Sequence, residues 1–277
     1  MNKPEPILVS QLFTPMLDSL IHLFENLSDE DWQKPTACPN WTVKDVAQHL
    51  LAVEIGKISR RRDQYKPGKT EPITTHKHLV EYINKINQAW VQVSSFISPK
   101  LLVELIGFVG RQTNEYFSSL DPYAIGPGVS WVGPEPAPMW LDIAREYTER
   151  WHHQQHIRDA VDQPGMKEIQ YFTPVLDTFC RALPFTYRHI HATEGTQVSL
   201  IISGKCGGEW TLSKEGADWI LYSGGGGKYA TQVVLDPEDA WRLFTKGIDP
   251  DETRERSEIY GNEVLGSGIF NMVSLIA

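Results

Sequence analysis

The segment Glu149-Arg150-Trp151-His152-His153-Gln154-Gln155-His156 puts one carboxylate and three imidazoles into two helical turns. At about 100° per residue, His152, His153 and His156 fall at about −60°, +40° and −20° from Glu149, so all four side chains share one arc. A helix holds a metal ion through residues at i and i+4, whose side chains meet above one surface point. Glu149/His153 has this spacing, and so does His152/His156. The competing reading is a solvated face, because Asp142, Arg145 and Glu146 lie on the same side one and two turns earlier. His49 shifts the balance. It sits among Val46, Leu50 and Val53 on the apolar edge of another helix, and bundle metal sites are built from facing helices that project ligands inward.

Other residues carry weaker chemistry. Cys38 lies just before the start of the His49 helix; a helix N-terminus can lower a thiol pKa, but a plain buried cysteine is the more frequent case. Gly224 to Gly227 with Lys228 fails the GxxxxGK[ST] phosphate-loop pattern at Tyr229 and reads as a turn. His76/His78 and His189/His191 are i,i+2 pairs, which face opposite sides of a helix and read as surface residues. Trp131 and Trp140 flank a proline-rich stretch and suit either a pocket wall or packing.

The elements that must position these groups follow from hydrophobic period. Apolar residues recur at three and four from Ile7 to about His191. Leu8 to Leu27 marks a first helix. Thr42-Val43-Lys44-Asp45 is a capping-box start for a second, closed by Arg60-Arg61-Arg62 and Pro67-Gly68. Leu79 to Val93 and Leu101 to Leu120 mark two more. A Pro/Gly-rich stretch, Asp121 to Pro138, precedes a strong helix from Met139 to Val161, and a further helix is expected from Pro174 to His191. From Thr196 the period shortens to two. Val198-Leu200-Ile202, Trp210-Thr211-Leu212, Trp219-Ile220-Leu221 and Thr231 to Leu235 read as a short antiparallel meander. Asp236-Pro237 caps a helix that Lys246-Gly247 ends, and a last helix is expected over Val264 to Ile276. The expected class is α+β: an N-terminal four-helix bundle over residues 1–165 and a small C-terminal α/β domain with an antiparallel sheet over 166–277.

With 277 residues, 41% of them hydrophobic, the chain can bury a core without disulfide or metal staples. A net charge of −9 argues against binding to nucleic-acid phosphates or to anionic membranes. No signal peptide and no run of about 18 apolar residues is visible. Cys38, Cys180 and Cys206 are far apart and odd in number, as reduced cytoplasmic thiols would be. Oligomeric state is left open.

The run Asn40-Trp41-Thr42-Val43-Lys44-Asp45-Val46-Ala47-Gln48-His49-Leu50 resembles the signature of the DinB/YfiT-like superfamily, and more closely its mycothiol-dependent maleylpyruvate isomerase branch. Glu149-xxx-His153 followed by Ala160-Val161 is similar to that branch's helix end, with Asp162 where a glycine usually falls. The resemblance implies a divalent metal held by His49, Glu149 and His153 with an open water position, and a low-molecular-weight thiol activated there. Zinc is the expected metal, with nickel or iron as alternatives. His156 stands where the family often has Asp or Gln, so it is implied as an outer partner or a fourth ligand. The broader superfamily's preference for a middle histidine keeps His152/His156 as an alternative pair. Two His, one Glu and an open position make a catalytic zinc arrangement, and equally the facial triad of non-haem Fe(II). A carboxylate substrate would need a cation such as Arg150 or Arg145. The implied function is a metal-dependent isomerase or transferase acting on a small molecule with a thiol. A non-catalytic binding module and a hydrolase using bound water are the alternatives.

Overall fold

A computed structural model describes residues 1–66, 73–225 and 227–275. The Pro67-Gly68 stop, Gly226 of the glycine turn, the side chain of His76 and the end of the last expected helix at Ile276 lie outside the described residues. The chain forms two compact units, one of residues 9–121 and 146–166, the other of residues 1–8, 122–145 and 167–276.

The first unit is helical. It holds α1 (Phe13–Glu25), α2 (Val43–Lys57), α3 (His76–Ser94), α4 (Pro99–Ser119) and the part of α5 (Met139–Val161) from Glu146 onward. Phe13, Met16, Leu17, Leu20, Leu23 and Phe24 follow the three-and-four spacing of α1 and are all buried. Leu17, Leu20, Leu23 and Phe24 join a core with Val46, Leu50 and Leu51 of α2, Leu102 and Ile106 of α4, and Ile157 and Val161 of α5. Helix α4 comes close to α1 at two glycines: a Cβ on Gly110 would lie 2.9 Å from Leu17 Cδ2, and one on Gly107 3.3 Å from Ile21 Cδ1. Helix α2 runs on through a π turn over Ile58–Arg62, so the helical run closes at Arg60-Arg61-Arg62 as expected.

The second unit carries the sheets. The Pro/Gly stretch pairs with itself as β1 (Ile125–Gly126) and β2 (Ala137–Pro138), Ile125 opposite Pro138. Strands β3 (Gln197–Ile202), β4 (Gly208–Glu215), β5 (Asp218–Ser223), β6 (Thr231–Leu235) and β7 (Glu258–Gly261) form a five-stranded sheet in the order β5-β4-β3-β6-β7. Strands β3 to β5 are the expected antiparallel meander. Strand β6 departs from it and lies parallel to β3, with Val198 opposite Thr231 and Ile202 opposite Leu235. The sheet is therefore mixed. A hairpin announces itself through turn residues at fixed offsets, whereas a parallel neighbour has no local signal.

The helices of this unit also differ from expectation. The helix expected from Pro174 begins earlier, as α6 (Ile169–Cys180), keeps Pro174 inside it, and breaks at Arg181-Ala182 before α7 (Leu183–Tyr187). Asp236 caps α8 (Pro237–Phe244) through the Glu238 N–H at 2.8 Å, as Asp-Pro predicts. A short α9 (Pro250–Arg256) and β7 follow, neither of them expected. The last expected helix is only α10 (Glu263–Gly266) and a 3-10 turn over Ser267–Asn271. Apolar residues there fill the core without helical period, Ile269 and Met272 being fully buried. Among the described residues no helix is long and apolar enough to cross a membrane.

Candidate metal centre

Three local features place the site within the helical unit. The loop before α2 is tied by its own backbone: Thr36 N–H donates to the Trp41 carbonyl at 3.0 Å, and Trp41 N–H donates to the Cys38 carbonyl at 3.0 Å. Asn40 turns this loop with φ 65°, a conformation asparagine tolerates better than most residues. Next comes the capping box. Thr42 Oγ1 accepts from Asp45 N–H at 3.3 Å, and Asp45 Oδ2 accepts from Thr42 N–H at 2.9 Å. This fixes the first turn of α2, and His49 then falls on the inner face, 5% exposed and packed on Trp41 with ring centroids 5.3 Å apart. The third feature is the i,i+4 register of α5.

His49 Nε2 lies 3.4 Å from Glu149 Oε1, and His153 Nε2 lies 3.3 Å from the same oxygen. The three donor atoms all fall within 4.8 Å of one another. Direct hydrogen bonds to a carboxylate usually run about 2.7–2.9 Å. Nitrogen and oxygen ligands about 2.0–2.1 Å from a tetrahedral ion sit roughly 3.3–3.4 Å apart. The spacing suits a shared ion better than direct pairing. Glu149 keeps 28% of its side chain exposed while His49 keeps 6%, so the set is open on the carboxylate side.

The protonation states suit ligation. Burial pushes His153 down to about 3, with the neighbouring His152 adding to it. Burial likewise lowers His152. Burial opposes the charge on Glu149, yet the neighbouring His153 and His49 imidazoles prevail and hold its carboxyl well below the usual range. Neutral imidazole and ionised carboxylate are the forms that bind metal. His49 Nδ1 is buried without a hydrogen-bond partner, so it lacks the outer contact that commonly orients a ligating imidazole.

The profile of the mycothiol maleylpyruvate isomerase N-terminal domain family matches residues 13–158, more than half of the chain. The chain belongs to this family. A crystal structure of a mycothiol-dependent maleylpyruvate isomerase is similar in fold, with a TM-score of 0.51 and 12% sequence identity over 84% of this chain and 86% of that one. A structure of a histidine-to-alanine mutant of such an isomerase aligns over the same shares at 12% identity, with a TM-score of 0.49. No curated protein matches the chain.

All the clustered residues fall inside the span that the family profile covers. His152 is not part of the His49–Glu149–His153 group; its Nδ1 lies 2.9 Å from the Thr148 carbonyl. His156 turns toward Cys38, with Nδ1 3.1 Å from Sγ, and His153 Nδ1 is 3.9 Å from the same sulfur. Cys38 is thus beside the site, a position that its sequence distance of more than a hundred residues from α5 hides. Its thiol is not activated: burial pushes it up to about 11, and the charge on Glu149 adds to this.

The solvated-face reading of α5 is overturned, since Asp142, Glu146, His152 and His156 are all buried. The cation expected for a carboxylate substrate also fails. Arg150 Nε and Nη2 donate to Glu54 at 2.6 and 3.0 Å, and Nη1 donates to Glu146 Oε2 at 2.9 Å. Arg145 donates to Asp142 at 2.7 Å. Arg150 also lies over the rings of Phe13 and Phe117, 5.5 and 5.3 Å from their centroids. It belongs to the bundle core. In the sheet-bearing unit Trp131 is buried and Trp140 stacks under the Arg181 guanidinium at 5.3 Å, both as packing. His189 and His191 are exposed, and His78 is half-buried.

Proposed function

We propose that the chain is a divalent-metal enzyme of the thiol-dependent isomerase or transferase type, with His49, Glu149 and His153 as metal ligands and zinc as the ion. The observation that carries this reading is the pair of imidazole nitrogens 3.3 and 3.4 Å from one oxygen of Glu149. A bound zinc ion lowers the pKa of a thiol or water that reaches it, supplying a nucleophile at neutral pH. The chain's own contribution is to bury both imidazoles, to keep His153 neutral and Glu149 ionised, and to leave the carboxylate side open. Family membership supports a low-molecular-weight thiol such as mycothiol as the second participant and a small molecule such as maleylpyruvate as substrate. With Arg150 and Arg145 engaged elsewhere, substrate carboxylates must be met by other groups.

The test uses tag-free protein. Elemental analysis is expected to find about one divalent metal per chain, and His153→Ala to lose it. Less than ~0.2 metal per chain, unchanged by His153→Ala, contradicts the ligand set, because a preorganised site binds strongly. Maleylpyruvate isomerisation by the metal-loaded chain is then followed with mycothiol, with another small thiol and with none. Isomerisation that needs no thiol contradicts the thiol-dependent reading, cleavage of a substrate by water without thiol favours the hydrolase, and metal without turnover favours a binding module.

A further inference from the structure

The His153 ring faces two clusters with its two nitrogens. Nε2 addresses Glu149, while Nδ1 points to Cys38 Sγ, which also meets His156 Nδ1. We infer that Cys38, His153 and His156 form a second metal site, for a thiophilic d10 cation such as Zn²⁺, Cd²⁺ or Cu⁺.

The geometry is that of a ligand set. A tetrahedral ion with a sulfur at about 2.3 Å and nitrogens at about 2.0–2.1 Å holds each S···N pair roughly 3.5–3.6 Å apart. The two S···N separations here, 3.1 and 3.9 Å, fall on either side of that value, and the three atoms all lie within 4.8 Å of one another. A thiol has one proton and can donate it to only one of the two imidazoles. An ion engages both at once. The sulfur is also held in place before any ion arrives. Cys38 N–H donates to Thr36 Oγ1 at 3.2 Å, and its carbonyl accepts from Trp41 N–H. Cys38 is half-buried, which leaves a route for an ion, whereas His153 and His156 are almost fully buried.

Thiolate and imidazole together select soft and borderline cations, while two imidazoles with a carboxylate accept harder ones. The two sites therefore differ in taste although they share one ring. When Nε2 of His153 ligates, its Nδ1 carries the proton that faces Cys38; when Nδ1 ligates, the proton moves to the other side. Binding at the sulfur site forms one metal–sulfur bond and releases the Cys38 thiol proton to solvent. No redox partner is needed. The site does not require Glu149 or His49, and it shares only His153 with the proposed catalytic centre.

The experiment is a Cd²⁺ titration of the reduced, metal-free full chain, read by sulfur-to-cadmium charge-transfer absorption in the ultraviolet. Wild type, Glu149→Gln and Cys206→Ser are expected to develop the band to one Cd²⁺ per chain. Cys38→Ser is expected to lose it, with at least about a tenfold fall in Cd²⁺ affinity, the lower bound found when even an outer partner of a ligand is removed. His156→Asn gives an independent second reading should Cys38→Ser fold poorly, and is expected to weaken binding in the same direction. A band that survives both Cys38→Ser and His156→Asn, or that never forms in Glu149→Gln, overturns the inference. Elemental analysis of Glu149→Gln reports separately on the other site, so failure of one reading is distinguishable from failure of the other.

Discussion

Replacing Arg150 by methionine tests whether this arginine belongs to the core or to a substrate. Arg150 is one of four buried or half-buried charges in a single group: Arg150 and Lys57 against Glu54 and Glu146, with Lys57 paired to Glu146. The group is neutral as it stands. Arg150→Met preserves much of the apolar contact with Phe13 and Phe117 but leaves two carboxylates facing one ammonium. Glu54 is then a buried anion that has lost both guanidinium hydrogen bonds. Breaking a buried pair on one side costs about 3–5 kcal/mol. At about 2–4 °C per kcal/mol this amounts to a midpoint lowered by roughly 6–20 °C. Glu54→Gln added to Arg150→Met restores neutrality, leaves the Lys57–Glu146 pair intact, and is expected to recover most of the loss. The assay is urea and thermal unfolding of the wild type, both single variants and the double variant, followed by tryptophan fluorescence. If the double variant is no more stable than Arg150→Met, the charge argument is refuted. If Arg150→Met is as stable as wild type and its only effect is on substrate binding, the arginine serves the substrate and not the core.

Other outcomes follow from the same structure. Thr42→Ala removes the capping box and is expected to cost about 0.5–2 kcal/mol in urea unfolding. Gly110→Val drives two methyl groups toward Leu17, and about 1–3 kcal/mol of overpacking is expected in the same assay. Zinc at about 100 times its Kd is expected to stabilise wild type by about 2.7 kcal/mol and His49→Ala by much less, as read by the thermal midpoint. At Glu238 burial opposes ionisation, but hydrogen bonds from Lys167, Trp241 and Arg242 lower its pKa below the ordinary 4.5. A lowered carboxylate contributes stability that is complete above about pH 4.5 and fades as the pH falls through the folded-state value. Glu238→Gln is therefore expected to flatten the acid limb of the stability–pH curve, and an unchanged limb would contradict the assignment.

The sequence discloses those parts of the site that have local causes. Thr42 to Asp45 announces a helix start, and Glu149 and His153 stand one turn apart, so three side chains could be named from two short stretches. The role of Arg150 could not be. Helical period shows that a polar face exists but not that Glu54, 96 residues earlier, comes to bury it. Cys38 could be named as a thiol near the His49 helix, but not as a neighbour of His153 and His156, which lie 115 and 118 residues away. In the sheet-bearing unit the β3–β4 and β4–β5 hairpins are legible from their turns, while the β3–β6 pairing is not, since parallel register is set by packing. The C-terminal apolar run reads as one helix in the sequence because core residues there have no period that separates a long helix from short irregular turns.

Thr42 closes the loop that carries Cys38 and opens the helix that carries His49. One threonine thus works as a common anchor for a sulfur on its upstream side and an imidazole on its downstream side. Neither can drift without dragging on the same pin. Loosening that anchor would be felt at the sulfur and at the His49 ring together, whereas a lesion at Cys38 or at His49 alone would touch only one of them.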